Sequence, residues 1–211
     1  MSTASPPRTI VVVDDDAAVR KALGRVLRTH GFTVETLDSA EAFLARSDAE
    51  PPACLVLDVN LPALNGLALQ RRLVDDGASV PIIFLTGNGD IPMSVRAIKH
   101  GAVDFLTKPV NDNDLIEAIH DAIKKNRIAR RSRAKLIELQ QRLATLTPRE
   151  REVLNHVVSS KRNRQIATEL GTAEQTIKIH RASLMKKLKA ESLADLLKLA
   201  ERLGITSSPL D

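Results

Sequence analysis

Four short, largely apolar runs in the first half of the chain each stop at a polar residue. Thr9–Val13 (TIVVV) runs into three aspartates and Ala53–Leu57 (ACLVL) into Asp58. Val80–Leu85 (VPIIFL) runs into Thr86-Gly87, and Val103–Leu106 into Thr107-Lys108-Pro109. Runs of this length, punctuated by Pro, Gly and Asp, read as strands buried on both faces. Phe32–Thr36 alternates instead and reads as a fifth, shorter strand. Between them the apolar spacing changes to the helical period. Val19, Leu23, Val26 and Leu27 form one face, closed at His30-Gly31; Ser39 caps a helix through Phe43 and Leu44; and a Pro62–Gly66 loop leads into a helix over Leu67–Val74. A helix ending at Lys99 precedes Gly101, and the last begins near Asn111–Asp114 with Leu115, Ile116, Ile119 and Ile123 on one side. Strands alternating with helices predict a doubly wound, five-stranded parallel sheet covered on both faces.

The second half has no strand-like runs. From Lys124 no Gly or Pro interrupts the helical pattern until Pro148, so the last helix continues as a connector. Leu136, Leu139, Leu143 and Leu146 follow 3-4-3 spacing, which suits either packing on a neighbouring domain or a coiled-coil seam. Thr147-Pro148-Arg149-Glu150 has the order of a capping box with Pro in the first turn. It starts a helix with Val153, Leu154, Val157 and Val158 inward. Asn163–Gly171 is a short helix ended by Gly, and Thr172 is expected to cap a longer one through Lys189 with Ile177, Leu184, Met185 and Leu188 inward. Leu193, Leu196, Leu197, Leu199 and Leu203 mark a fourth helix. Two helices joined at Gly171 within a small all-α unit read as a helix-turn-helix. The predicted organisation is therefore residues 1–123 as an α/β domain, 124–146 as a helical linker and 147–211 as a four-helix reader.

Charge separates the same halves. Residues 1–123 hold 11 Lys+Arg against 17 Asp+Glu, and residues 124–211 hold 20 against 9. A basic domain points to a polyanionic partner, and the longer helix of the pair carries Thr176, Lys178, His180, Arg181, Ser183, Lys186, Lys187 and Lys189 on what is expected to be its outer face. Aromatic residues are only 2%, so aliphatic packing must fill the interior. Cys54 is the single cysteine and lies inside an apolar run, which excludes an internal disulfide and fits a reducing cytoplasm. No apolar run approaches the length of a membrane span, and the N-terminus has no export-type pattern.

In a parallel sheet wound by right-handed crossovers, all strand ends share one edge. Asp14, Asp15, Asp58, Thr86 and Lys108 would meet there. An Asp after a strand often only starts a turn, and an acidic run can simply favour a helix N-terminus, but neither explains the polar ends of the other strands. Crowded carboxylates need a hard dication, most naturally Mg²⁺. A metal-neutralised carboxylate can attack a phosphoryl group, with a hydroxyl (Thr86) and an ammonium (Lys108) binding the phosphoryl oxygens.

Val12-Val13-Asp14-Asp15-Asp16, Leu57-Asp58-Val59-Asn60-Leu61-Pro62, Thr86-Gly87-Asn88-Gly89-Asp90 and Gly101-Ala-Val-Asp-Phe-Leu-Thr-Lys-Pro109 resemble the receiver domain of bacterial two-component response regulators over residues 8–123. The resemblance implies a flavodoxin-like fold with Asp58 as phosphoacceptor. It implies Mg²⁺ (or Mn²⁺) held by Asp15, Asp58 and the Asn60 backbone carbonyl, with Asp14 acting through water. Thr86 and Lys108 would contact the phosphoryl group, and Phe105 matches the aromatic whose rotamer changes on activation. Asp16 stands where relatives more often carry Glu. Leu146-Thr-Pro-Arg-Glu-Arg-Glu-Val-Leu154, Ile166-Ala167 and Thr176–Leu188 resemble the LuxR-type helix-turn-helix, so the whole chain resembles the FixJ/NarL response regulators. By position, Lys178, Ile179 and Ala182 would face base edges, with Thr176, Arg181 and Lys186 nearer phosphates. Some relatives carry Lys at the position of Ala182.

The implied function is a phosphorylation-activated regulator that dimerises through the face around residues 90–110. Its implied partners are a sensor histidine kinase, promoter DNA and RNA polymerase. The alternative is a Mg²⁺-dependent phosphohydrolase using Asp58 as nucleophile. Haloacid dehalogenase-type phosphatases place a second acid two residues after that nucleophile. This chain has Asn60, which cannot act as a general base, so the site is expected to perform only its own phosphorylation and slow dephosphorylation. Asn60 and Asn88 are expected to set the lifetime of the phosphorylated state.

Overall fold

Each apolar run forms the strand it predicts, displaced by two residues at most. The strands are β1 (Thr9–Val13), β2 (Thr33–Leu37), β3 (Cys54–Asp58), β4 (Ile82–Thr86) and β5 (Asp104–Thr107). They form one parallel sheet in the order β2-β1-β3-β4-β5. The structure, a computed structural model, describes residues 9–46, 51–87, 95 and 97–205.

The helices of this half are α1 (Ala17–Thr29), α2 (Ala40–Leu44), α3 (Gly66–Asp75) and α4 (Asp112–Ala144). The helix expected to end at Lys99 falls largely outside the described residues, although 97–99 are helical and stop at Gly101, whose φ of 93° is left-handed.

Strand alternation divides the apolar side chains between two cores. Val11, Val13, Leu55, Leu57, Ile82 and Phe84 meet Phe43, Leu69 and Leu73 on one face. Ile10, Val12, Cys54, Val56, Ile83 and Leu85 meet Leu23, Leu27, Leu115 and Ile119 on the other. At roughly 1.5–3 kcal/mol for each large aliphatic side chain buried, these layers fix the strand register. Cys54 is fully covered, and burial pushes its thiol far above the ordinary value.

The chain divides into two compact units between Ala129 and Arg130, within α4. The connector continues the last helix, as its uninterrupted sequence predicts. In the second unit, Leu139 and Leu146 are buried, and Leu143 packs against the core that Leu146 helps form. That core also holds Val153, Leu154, Val157, Ile166, Ile177, Leu184, Leu188 and Leu196. Its elements are α5 (Pro148–Val158), α6 (Asn163–Glu169), α7 (Glu174–Leu188) and α8 (Leu193–Arg202).

One expected cap is corrected. Thr172 does not start α7; Ala173 occupies the N-cap position and makes no side-chain bond. Thr172 N donates to Ala167 O at 2.9 Å and Gly171 N to Thr168 O at 3.3 Å, with Gly171 at φ 60°. These are the two bonds of a Schellman ending. Thr172 therefore closes α6, and α7 begins later and stops at Leu188 rather than Lys189.

Candidate functional site

β1 and β3 are neighbours, with Val13 opposite Leu57, so Asp14, just past β1, and Asp58, the last residue of β3, emerge side by side. Asp14 is fully buried, Asp58 is 4% exposed and Asp15 is exposed. One carboxylate oxygen from each of Asp14, Asp15 and Asp58 lies within 4.8 Å of the others. Lys108, just past β5, reaches into the group: its Nζ is 2.6 Å from Asp14 Oδ2 and 2.9 Å from Asp58 Oδ2. Thr86 ends β4 and is 1% exposed, and its carbonyl accepts from Lys108 N at 2.7 Å. Phe105 is half-buried against Phe84, with ring centroids 6.2 Å apart. The structure thus brings Asp14, Asp15, Asp58, Thr86 and Lys108 to one edge; Asn88 lies outside the described residues.

Backbone donors hold the acids in place. Asp58 Oδ1 accepts from Asn60 N at 3.2 Å, and Asp14 Oδ1 accepts from Asp16 N at 3.0 Å. Lys108 makes a hydrogen bond to Asp58 and an ion pair with Asp14 Oδ2, which has no aligned donor among the described residues. Burial pushes the Asp14 carboxyl above the ordinary aspartate value; Lys108 and the Asp16 amide pull it down without cancelling that effect, and Asp58 adds repulsion. Burial pulls the Lys108 ammonium down, but its two carboxylate partners outweigh it and raise the value. Three clustered acids, one with a poorly served oxygen, against one ammonium leave the cluster excess negative charge. This donor set fits a hard divalent cation with oxygen ligands.

Two supporting roles are not assigned from the sequence. Asp16 is the N-cap of α1, its side chain accepting from Ala18 N at 2.7 Å. An Asp before a helix carries that signal; the acidic run reads as a helix N-terminus without assigning the cap to Asp16. Gly66 starts α3 against the backbone of β3, where a Cβ would lie 2.3 Å from the Asp58 carbonyl oxygen. Nothing in the local pattern signals that approach, which only glycine permits.

The second unit carries another candidate surface. Among the expected base-facing residues of α7, Lys178, Ile179 and Ala182 are all exposed, Ile179 at 60%. Lys186 is exposed as well, Thr176 is half-buried, and Arg181 is half-buried with its guanidinium donating to Asn163 Oδ1 at 2.7 Å. Lys178 lies 3.5 Å from Glu174 in a solvent-exposed i,i+4 pair, which is weak enough to exchange for a phosphate or base.

Ser183 and Lys187 correct the expected outer face. They turn inward onto Glu150, donating to its two carboxylate oxygens at 2.6 and 2.7 Å. Glu150 is only 4% exposed and also forms the capping box with Thr147. Burial pushes this carboxyl up, but the bonds from Lys187, Ser183 and Thr147 prevail and hold it down at about 2.

A doubly wound sheet gathering acids and a lysine at one edge, with a separate helix-turn-helix unit, defines a signalling domain joined to a DNA reader. The family described as "Response regulator receiver domain" matches residues 10–120, and "Bacterial regulatory proteins, luxR family" matches residues 144–200. Nodulation protein W of Bradyrhizobium diazoefficiens is 43% identical over 97% of this chain and 90% of its own. Transcriptional regulatory protein FixJ of Rhizobium meliloti is 42% identical over 91% and 94%. The solved structure of the response regulator StyR shares 44% identity and a TM-score of 0.81 over 92% of this chain and 98% of its own. The chain belongs to the transcriptional response regulators that join a receiver to a LuxR-type DNA-binding domain.

Proposed function

We propose that Asp58 is the phosphoacceptor of this regulator and that a sensor histidine kinase is its phosphoryl donor. An Asp58 carboxylate oxygen bonds to phosphorus as the donor's phosphorus–nitrogen bond breaks, and the departing imidazole takes up a proton. Asp15, Asp58 and the Asn60 carbonyl would hold Mg²⁺ or Mn²⁺, with Asp14 acting through water; the ion would supply positive charge against the phosphoryl oxygens. Lys108 then leaves its carboxylate partners for a phosphoryl oxygen, Thr86 binds another, and Phe105 turns inward. The face around residues 90–110 changes with them and pairs two copies, which places two readers on a two-half-site operator and recruits RNA polymerase.

The observation carrying this reading is the Lys108 ammonium shared between two buried carboxylates on neighbouring strands. It is a cation already positioned where a phosphoryl oxygen would need one. Asn60 favours self-limited phosphorylation over phosphohydrolase turnover, because its amide cannot activate water. A DNA-binding unit acts where DNA is, so the proposed location is cytoplasmic; no helix among the described residues is long and apolar enough to cross a membrane. Lys178, Ile179 and Ala182 read bases, while Thr176, Arg181 and Lys186 serve the phosphates.

The test is treatment of the full chain and Asp58→Asn with acetyl phosphate and Mg²⁺, following intact mass, oligomer size and DNA binding. The reading requires a phosphoryl mass gain, a dimer and tighter DNA binding in the parent chain alone. Equal mass gain in Asp58→Asn overturns the assignment of Asp58.

A further inference from the structure

The first turns of the second unit differ from an ordinary solvated helix. Between Asp121 and Glu138 the sequence contains Lys124, Lys125, Arg127, Arg130, Arg131, Arg133 and Lys135 and no acid. Within the second unit, Arg130, Arg131, Arg133 and Lys135 are all exposed, and residues 130–138 contain no buried side chain. The first buried residue of the unit is Leu139. At ~1.5 Å rise per residue, these nine residues form a helical arm of roughly 13 Å ahead of that core anchor.

Helices exposed on all sides ordinarily gain support from opposite charges at i,i+4. This helix does so one turn later, where Arg142 and Glu138 form an ion pair at 2.5 Å. The arm does the opposite. Arg130–Arg133 and Arg131–Lys135 place like charges three and four residues apart, each pair mildly destabilising the helix. Among the described residues, none of the four cations has an ion-pair or hydrogen-bond partner. A concentrated, unpaired positive segment is satisfied by a polyanion, and the unit that carries it contains the LuxR-type DNA-binding match over residues 144–200.

We propose that Arg130, Arg131, Arg133 and Lys135 form a second DNA-contacting element, which holds backbone phosphates independently of sequence while α7 reads the groove. The proposal rests on the DNA-binding reading of the second unit. Its contribution is electrostatic, through release of counterions condensed on the duplex, so it acts equally on operator and random DNA.

The test compares the full chain with a variant carrying Arg130→Gln, Arg131→Gln, Arg133→Gln and Lys135→Gln, all compatible with a helix. Binding to a random-sequence duplex is measured by fluorescence anisotropy across a salt series, with circular dichroism checking helix content. Four lost phosphate contacts make the slope of log affinity against log salt shallower by about 3 to 4. Replacing the three arginines by lysine instead keeps the slope, because the contact needs charge rather than a planar fork. A control variant, Lys198→Gln with Arg202→Gln, removes two exposed cations of α8. A quadruple variant with the parent slope overturns the proposal, as does a control with an equal loss per charge. If the parent chain leaves the duplex unbound at low salt, the DNA-binding reading fails and the proposal falls with it.

Discussion

Lys108 Nζ lies 2.9 Å from Asp58 Oδ2 across fifty residues of chain, and the same ammonium is 2.6 Å from Asp14. Removing it leaves two buried carboxylates facing one another. Lys108→Met, close in shape but uncharged, is expected to destabilise the first unit by about 2–3 kcal/mol. Mg²⁺ should restore more stability to this variant than to the parent, because a dication replaces the missing charge. Urea midpoints with and without Mg²⁺ measure this; an equal Mg²⁺ response in both proteins counts against the charge balance described.

Gly66 predicts a second effect. Its Cβ position lies 2.3 Å from the Asp58 carbonyl oxygen, so Gly66→Ala must displace either β3 or the start of α3. Such overpacking costs about 1–3 kcal/mol. It should also slow phosphorylation of Asp58 by acetyl phosphate, because the displaced backbone carries the acceptor. A variant phosphorylated at the parent rate would show that the shift is absorbed entirely by α3.

Asn60→Asp tests the restraint on turnover. The backbone carbonyl and the amide that reaches Asp58 are retained, while the new carboxylate can take a proton from water. Positioned general bases contribute about 10²–10⁴-fold, and a lifetime of phospho-Asp58 shortened by at least about tenfold is expected. Decay of the phosphorylated mass after donor removal gives the lifetime, and no change would remove Asn60 from the timing role.

Glu150 sets a pH dependence of stability. Its folded value of about 2 lies below the ordinary 4.5, so its contribution is complete above pH 4.5 and is lost as pH falls toward 2. That difference corresponds to roughly 3 kcal/mol. Glu150→Gln should be clearly less stable near neutrality, with the gap to the parent closing between those values. A gap unchanged in acid would mean that packing, not charge, accounts for the effect.

The α/β half was legible because parallel strands buried on both faces leave continuous apolar runs, and because their polar ends fall on one edge. Asp14, Asp58 and Lys108 are assigned to that edge by the sequence pattern alone. Gly66 was not legible, since its role depends on a strand passing behind it. Ser183 and Lys187 were misplaced for a related reason. A Ser and a Lys on a basic helix look outward unless the buried acid opposite is known, and Glu150 already had a sufficient explanation as a capping residue. At Gly171 the turn was visible, but ownership of Thr172 depended on the Schellman bonds.

The position of β5 gives the site an uneven rigidity. Asp14 follows β1 and Asp58 ends β3, strands with sheet partners on both sides, whereas Lys108 follows β5, which among the described residues pairs with β4 alone. Amides of interior strands exchange with solvent only through large openings, while an edge strand can detach locally at much lower free energy. In hydrogen-exchange experiments, protection should be deep at Val12, Val56 and Leu57 and shallow at Leu106 and Thr107. The anionic half of the site would then behave as a fixed electrode, and its cation as the contact that makes and breaks.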